Sequence, residues 1–284
     1  MRVVTLMLLA FTGLLAQPSD PLSDAFALYS RTDYQASLAL ILQSGLASGK
    51  AYLLAGRDHY MLGDYKKSVE ALERAFALEP SSSECALWLG RGYGRRAETS
   101  STFSAPKYAS KARVYLEKAV ALDPDNQEAL RDLFDYYLEA PGFLGGGYDK
   151  AKPIAQRIGG RNPADGLLAQ AELADRRKQF DTAEEQFRRA IQMAPRQVGR
   201  VLDLARYLAR QGRISESEAA FDQAEQLAPN SPQVCFVRAR TYIEQKRNLD
   251  QARALLIQYL GSNLTPDDPS RREAEKLLKE ASGA

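Results

Sequence analysis

Past its first twenty residues the chain carries apolar side chains at intervals of three and four, the rhythm of amphipathic helices. Alanine and leucine dominate, and no stretch shows the strict alternation of a half-buried strand. Helix after helix is therefore expected. The apolar runs stop at related tetrapeptides: Ala-Leu-Glu-Pro at 77–80, Ala-Leu-Asp-Pro at 121–124, Gln-Met-Ala-Pro at 192–195 and Gln-Leu-Ala-Pro at 226–229. Proline cannot continue a helix and biases the residue before it away from helical angles. Pro195 and Pro229 lie 34 residues apart, as do Gly56 and Gly90, Arg57 and Arg91, and Arg206 and Arg240. Such a period means one supersecondary unit used many times.

Within segment 49–82, small residues (Ala55, Gly56, Gly63, Ser68, Ala75) alternate with large ones (Tyr52, His59, Tyr65, Leu72), and Asp64 and Pro80 mark a turn and an end. Segment 198–231 repeats the scheme with Val201, Leu204, Ala205, Leu208, Gly212, Ser217, Phe221, Ala224 and Pro229. Period and spacing together resemble the tetratricopeptide repeat family. Further units read at 164–197 and at 232–266, where one residue is inserted near Asn248 and Lys246 stands at the usual turn glycine. Unit 83–126 has ten extra residues, expected as a loop over 97–106. Unit 127–163 has a long turn, Ala-Pro-Gly-Phe-Leu-Gly-Gly-Gly at 140–147. Residues 21–48 form a degenerate first unit, with Asp33-Tyr34 echoing Asp64-Tyr65, and 268–281 a polar capping helix. The resemblance implies an all-α, right-handed superhelical solenoid of antiparallel helix pairs over 17–284. It also implies binding of a protein or peptide partner along a concave groove lined by the first helix of each pair.

Carried onto the first helices, the family's groove positions name Arg57, Tyr60, Arg91, Arg95, Asp135, Glu139, Glu172, Arg206, Arg210, Phe236 and Arg240. Read along the chain, two basic ends flank an acidic middle. The arginines can clamp carboxylates of a partner through bidentate bonds; otherwise they form an ordinary solvated face or pair with acids of adjacent helices.

Residues 1–16, MRVVTLMLLAFTGLLA, have one early charge, Arg2, before an apolar run from Val3 to Ala16. This is the layout of an export signal, expected to be cleaved near Ala16. The run is shorter than the ~20 apolar residues a membrane span needs, so no span is expected in the mature chain. Export would place the protein in a periplasmic or extracellular setting.

The 284 residues hold one histidine, two cysteines and a formal charge of +2. That excludes a histidine-rich metal site and a four-thiolate zinc site, and leaves no basic footprint for nucleic acid. No metal or cofactor is expected. Cys85 and Cys235 fall four repeats apart, so both are expected to be free and buried. Gly45-Leu-Ala-Ser-Gly-Lys-Ala51 approximates a phosphate loop but lacks the spacing, the hydroxyl residue and the preceding strand. Gly145–Gly147 is the sharper feature. Its amides could form an anion-binding nest before the following helix, and with 97–106 it offers the route to an enzyme or small-molecule site. Otherwise it is a long turn with Phe143 and Leu144 tucked against a neighbour.

Overall fold

A computed structural model describes residues 20–283; the apolar stretch 1–16 lies outside them. Fifteen helices follow one another, with no strand among the described residues. They are α1 Pro21–Ser30, α2 Tyr34–Ser44, α3 Gly49–Met61, α4 Tyr65–Leu78, α5 Ser83–Thr99, α6 Ala105–Leu122, α7 Gln127–Glu139, α8 Tyr148–Arg161, α9 Pro163–Arg176, α10 Phe180–Met193, α11 Val198–Arg210, α12 Ile214–Leu227, α13 Pro232–Glu244, α14 Leu249–Leu260 and α15 Arg271–Ala281. Each helix packs on the next, and the pairs stack into an all-α solenoid.

Local chemistry sets the helix ends. The side chains of Asp20, Asp33, Ser48, Asp64, Ser82, Asn126, Asn162 and Ser270 accept from backbone N–H groups of the helices they precede. Each satisfies a donor that the first turn would otherwise leave free. Gly45 ends α2 in the left-handed region and Ser48 starts α3, so the apparent phosphate loop is the joint between the first two pairs.

Small residues let the helices of a pair approach. A Cβ on Gly56 would fall 2.5 Å from Cγ of Leu72, and one on Gly90 2.9 Å from Cγ of Leu116. Ser68 Oγ donates to the Gly56 carbonyl at 2.8 Å, and Ser217 Oγ to the Ala205 carbonyl at 2.9 Å. These are the same bond in two repeats, and it satisfies a hydroxyl that is fully buried in both. Large side chains fill the space between pairs: Leu72, Phe187, Phe221 and Tyr242 are buried. The core is a string of adjoining clusters along the stack, as each pair buries its apolar face only against its neighbours.

The ten extra residues of 83–126 do not form a loop over 97–106. Helix α5 runs to Thr99 and α6 starts at Ala105, so most of the insertion lengthens the two helices to 17 and 18 residues. Ala97-Glu98-Thr99 contains nothing that stops a helix, and Pro106 sits in the first turn of α6, where its missing N–H costs nothing. Residues 21–48 make a complete pair, α1 and α2.

The two ends of the stack meet. Arg272 Nη1 donates to the Leu62 carbonyl at 2.7 Å, and the Arg272 stem lies over Gly63. The concave face is thereby wrapped into a closed turn.

Candidate functional site: the concave channel

First helices of successive pairs touch one another: α1 with α3, α3 with α5, α5 with α7, α7 with α9, α11 with α13 and α13 with α15. Second helices make no comparable contact. The odd-numbered helices therefore line the inner, concave side.

At the N-terminal end of that side, Trp88 stands between two guanidinium groups. The carbon of Arg57 lies 4.7 Å from its ring centroid and that of Arg91 4.9 Å. Arg57 also lies 4.6 Å from the Tyr29 ring centroid and donates to the Tyr29 hydroxyl. Tyr60 stacks edge-on against Trp88 and Tyr65, and burial pushes its hydroxyl up to about 12. Arg57 pairs with Glu84 at 3.0 Å, while Arg91 pairs with Asp132 at 2.5 Å and with Glu128 at 2.9 Å. Arg95 donates to the Tyr65 hydroxyl and pairs with Glu98 at 2.6 Å. A basin of about 530 Å³ opens here, bounded by Arg57, Glu84, Trp88, Arg91 and, from the far end of the chain, Pro266 and Asp267.

The middle of the channel is crowded with carboxylates. Arg131 bridges Asp135 at 2.9 Å and both oxygens of Glu172 at 2.7 and 2.8 Å. Burial pushes the Asp135 carboxyl up to about 7 and the Asp203 carboxyl up to about 6, with Glu172 adding to both. Further along, Arg210 pairs with Asp175 at 3.0 Å. Arg206 reaches Asp203 only at 3.7 Å and stays half exposed. Arg240 pairs with Glu244 at 2.8 Å and approaches Glu273 at 3.7 Å.

Residues 53–92 and 168–232 match the Tetratricopeptide repeat family. Those two segments are tetratricopeptide repeats. Solved relatives share the fold. A tetratricopeptide repeat protein from Parabacteroides merdae has a TM-score of 0.60, with 15% identity, over 92% of this chain and 97% of its own. A thermophilic TPR protein of Thermus thermophilus has 0.54 and 21% over 66% and 97%. The C-terminal part of a TPR repeat-containing protein from Cytophaga hutchinsonii has 0.50 and 15% over 90% and 99%. No curated protein matches.

Most groove residues expected from the repeat lie on this inner face, and adjacent-helix pairing is the use the structure gives to Arg57, Arg91 and Arg210. Glu139 is exposed. Phe236 is buried against Tyr259, with ring centroids 5.1 Å apart, so it packs the repeat interior rather than facing a ligand. Sequence reasoning missed Trp88, Tyr29, Arg131, Asp132 and Asp203. Trp88 is the sole tryptophan and lies three residues before Arg91, the spacing that puts two side chains on one helix face.

The glycine turn does not form a nest. Gly145 N–H donates to the Gly142 carbonyl, Gly146 N–H to Pro141 and Gly147 N–H to Tyr137, so all three amides are consumed within the repeat. A Cβ on Gly146 would collide with the Ala140 carbonyl, and Gly145 and Gly147 have positive φ, which is why glycine stands there. Leu144 is half-buried, but Phe143 is 82% exposed rather than tucked in. Among the described residues no cluster of histidine, cysteine and carboxylates could hold a metal ion. Cys85 and Cys235 are both free and buried.

Proposed function

We propose that this repeat protein is a non-catalytic scaffold that holds a protein or peptide partner in its concave channel. The observation that carries the reading is the pre-formed inner surface from Tyr29 through Trp88 to Asp203. Its aromatic rings and guanidinium groups are fixed in place by pairs between neighbouring repeats, so little ordering cost is left for binding. Arg206 and Arg240 keep half-exposed guanidinium groups at one end, while in the middle Asp135 and Glu172 are paired with Arg131. A partner that brings acidic groups to Arg206 and Arg240 suits this surface.

Capture of partners from a native extract tests the reading. Arg206→Glu together with Arg240→Glu, and separately Trp88→Ala, should each lose a partner that the wild-type protein recovers. Unchanged recovery with both variants overturns it.

We also propose that the protein is exported, with Val3–Ala16 as the apolar core of a signal. No helix among the described residues is long and apolar enough to cross a membrane, which leaves that stretch as the principal apolar segment of the chain. N-terminal sequencing of protein recovered from the source cells should begin near Gln17; an intact Met1 or Arg2 start overturns this.

A further inference from the structure

One arginine in this stack is buried where the other repeats bury a small or apolar residue. Arg200, the third residue of α11, holds the repeat position that Ala51, Cys85, Ala129, Gly166 and Val234 hold elsewhere. That position faces the preceding pair: Ala51 packs there with α1 and α2. The Arg200 side chain is only 9% exposed. Its Nη2 donates to Asp165 Oδ1 at 2.9 Å, while Nε and Nη1 are buried with no partner. A buried donor without an acceptor loses its hydration and gains nothing in return, and more so when it is charged. The joint between the pair α9–α10 and the pair α11–α12 is therefore closed against a local cost.

The same joint is open on the concave side. First helices touch at the other joints, but among the described residues α9 and α11 are the one successive couple without comparable contact. Glu172 of α9 and Asp203 of α11 are close enough across it that burial and the Glu172 charge both push the Asp203 carboxyl up. Like charges at that place favour separation.

The turn end of the joint is pinned. Asp175 accepts from Arg210 at 3.0 Å and from Gln211 at 3.1 Å. The Phe180 carbonyl accepts from the Tyr207 hydroxyl at 2.7 Å, and Arg213 pairs with Glu184. Phe187 packs on Tyr207, with ring centroids 5.1 Å apart. At the opposite end, where α9 and α11 begin, Arg200–Asp165 is the one polar link among the described residues.

We propose that this joint is the hinge on which the closed turn of the stack opens, with the Arg272–Leu62 bond as its latch. The pinned end is the axis. Rotation about it lets water reach Nε and Nη1 of Arg200, which offsets part of the packing lost. Beyond the hinge lie two pairs and the cap, about 30 Å of stack at about 10 Å per layer. A rotation of about 10° there carries the cap about 5 Å, enough to break a hydrogen bond 2.7 Å long. Opening admits a partner from the side, with no chain end to thread. That use rests on the channel reading above; the motion does not.

Small-angle scattering of the full chain tests the hinge. Arg272→Ala should enlarge the radius of gyration by releasing the latch. Adding Arg200→Val gives the joint the residue of its counterpart Val234, and should remove most of that enlargement. Exchange of a buried, half-paired charge for an apolar side chain is often neutral or stabilising. Asp165 is half exposed and keeps its bond from Asn162, so the thermal midpoint should not fall. Arg200→Met keeps the length without the charge; it should act in the same way and serves where the valine variant does not fold. A double variant as expanded as Arg272→Ala alone overturns the hinge, and so does an Arg272→Ala chain with the wild-type radius. No partner enters these measurements, so failure of the channel reading would leave them unchanged.

Discussion

Arg272, in the first turn of α15, reaches the carbonyl oxygen of Leu62 at the end of α3, 2.7 Å away and 210 residues earlier in the chain. This contact joins the last helix of the stack to the second pair. The substantial packing of α15 is with α14 and α13, and a polar cleft of about 1420 Å³ separates it from the N-terminal pairs. Among the described residues, the Arg272 bond is the one side-chain hydrogen bond that crosses this cleft.

One exposed hydrogen bond contributes about 1 kcal/mol, so Arg272→Ala should open the ring without unfolding it. Small-angle scattering should show a larger radius of gyration, with the thermal midpoint nearly unchanged. An identical scattering curve would mean that the superhelical pitch alone brings the ends together.

Asp58 is fully buried in α3. Its Oδ2 accepts from Ser37 at 2.8 Å, and its Oδ1 has no partner. Burial pushes this carboxyl up to about 8 from an ordinary value of 3.8. The folded state therefore holds a proton that the unfolded chain has lost between those values. Stability is full below about pH 4 as far as this group is concerned, and falls through the window to about pH 8 by roughly 1.4 kcal/mol per unit at most. Asp58→Asn keeps an acceptor for Ser37 without the charge. Denaturation at pH 5 and pH 8 should show a smaller loss for the variant, which should be the more stable protein at pH 8.

Lys178 and Lys246 occupy turns with φ of 60° and 52°, where Gly63 and Gly212 stand in other repeats at 73° and 74°. The left-handed region costs an ordinary residue roughly 1–2 kcal/mol, against about 0.4–1 kcal/mol that glycine loses through its freer unfolded chain. Lys178→Gly and Lys246→Gly should each stabilise the protein by up to about 1 kcal/mol, read from the urea midpoint. A lower midpoint would show that the lysine side chains contribute more than their backbone strain costs.

Gly56→Ala would place a methyl group 2.5 Å from Leu72 Cγ, and Leu72 has no exposed surface into which to retreat. Overpacking of this kind costs about 1–3 kcal/mol. The same change at Gly94, which has nothing within 4 Å of its Cβ position, should be neutral or stabilising. Thermal midpoints of the two variants should separate accordingly; equal shifts would mean that α3 and α4 move apart at no cost.

Much of the fold is legible in the sequence because the repeat is a local code. Asp64, Gly63, Gly56 and Leu72 act within a single helix pair, and the same spacing returns at Gly212, Ala205 and Phe221. The candidate site was partly legible for the same reason, since Arg57, Arg91 and Arg206 fall at one repeat position on the inner helices. What those arginines touch was not legible. Glu84, Asp132 and Asp203 come from neighbouring repeats or other turns of the helix, and which side chain is nearest depends on how far each pair rotates on the last.

The period, the helix pairs and the inner face can thus be read from the residues alone, because each depends on contacts within about one repeat length. The remainder was settled when the pairs stacked. Stacking spread the insertion at 97–106 into two long helices, since continuing a capped helix satisfies more backbone groups than an open loop. It used the amides of Gly145–Gly147 within their own turn, turned Phe236 inward and brought Arg272 to Leu62. Each of those outcomes depends on the accumulated rotation of many pairs or on competition for a single hydrogen-bond partner, and neither quantity is written in any one stretch of residues.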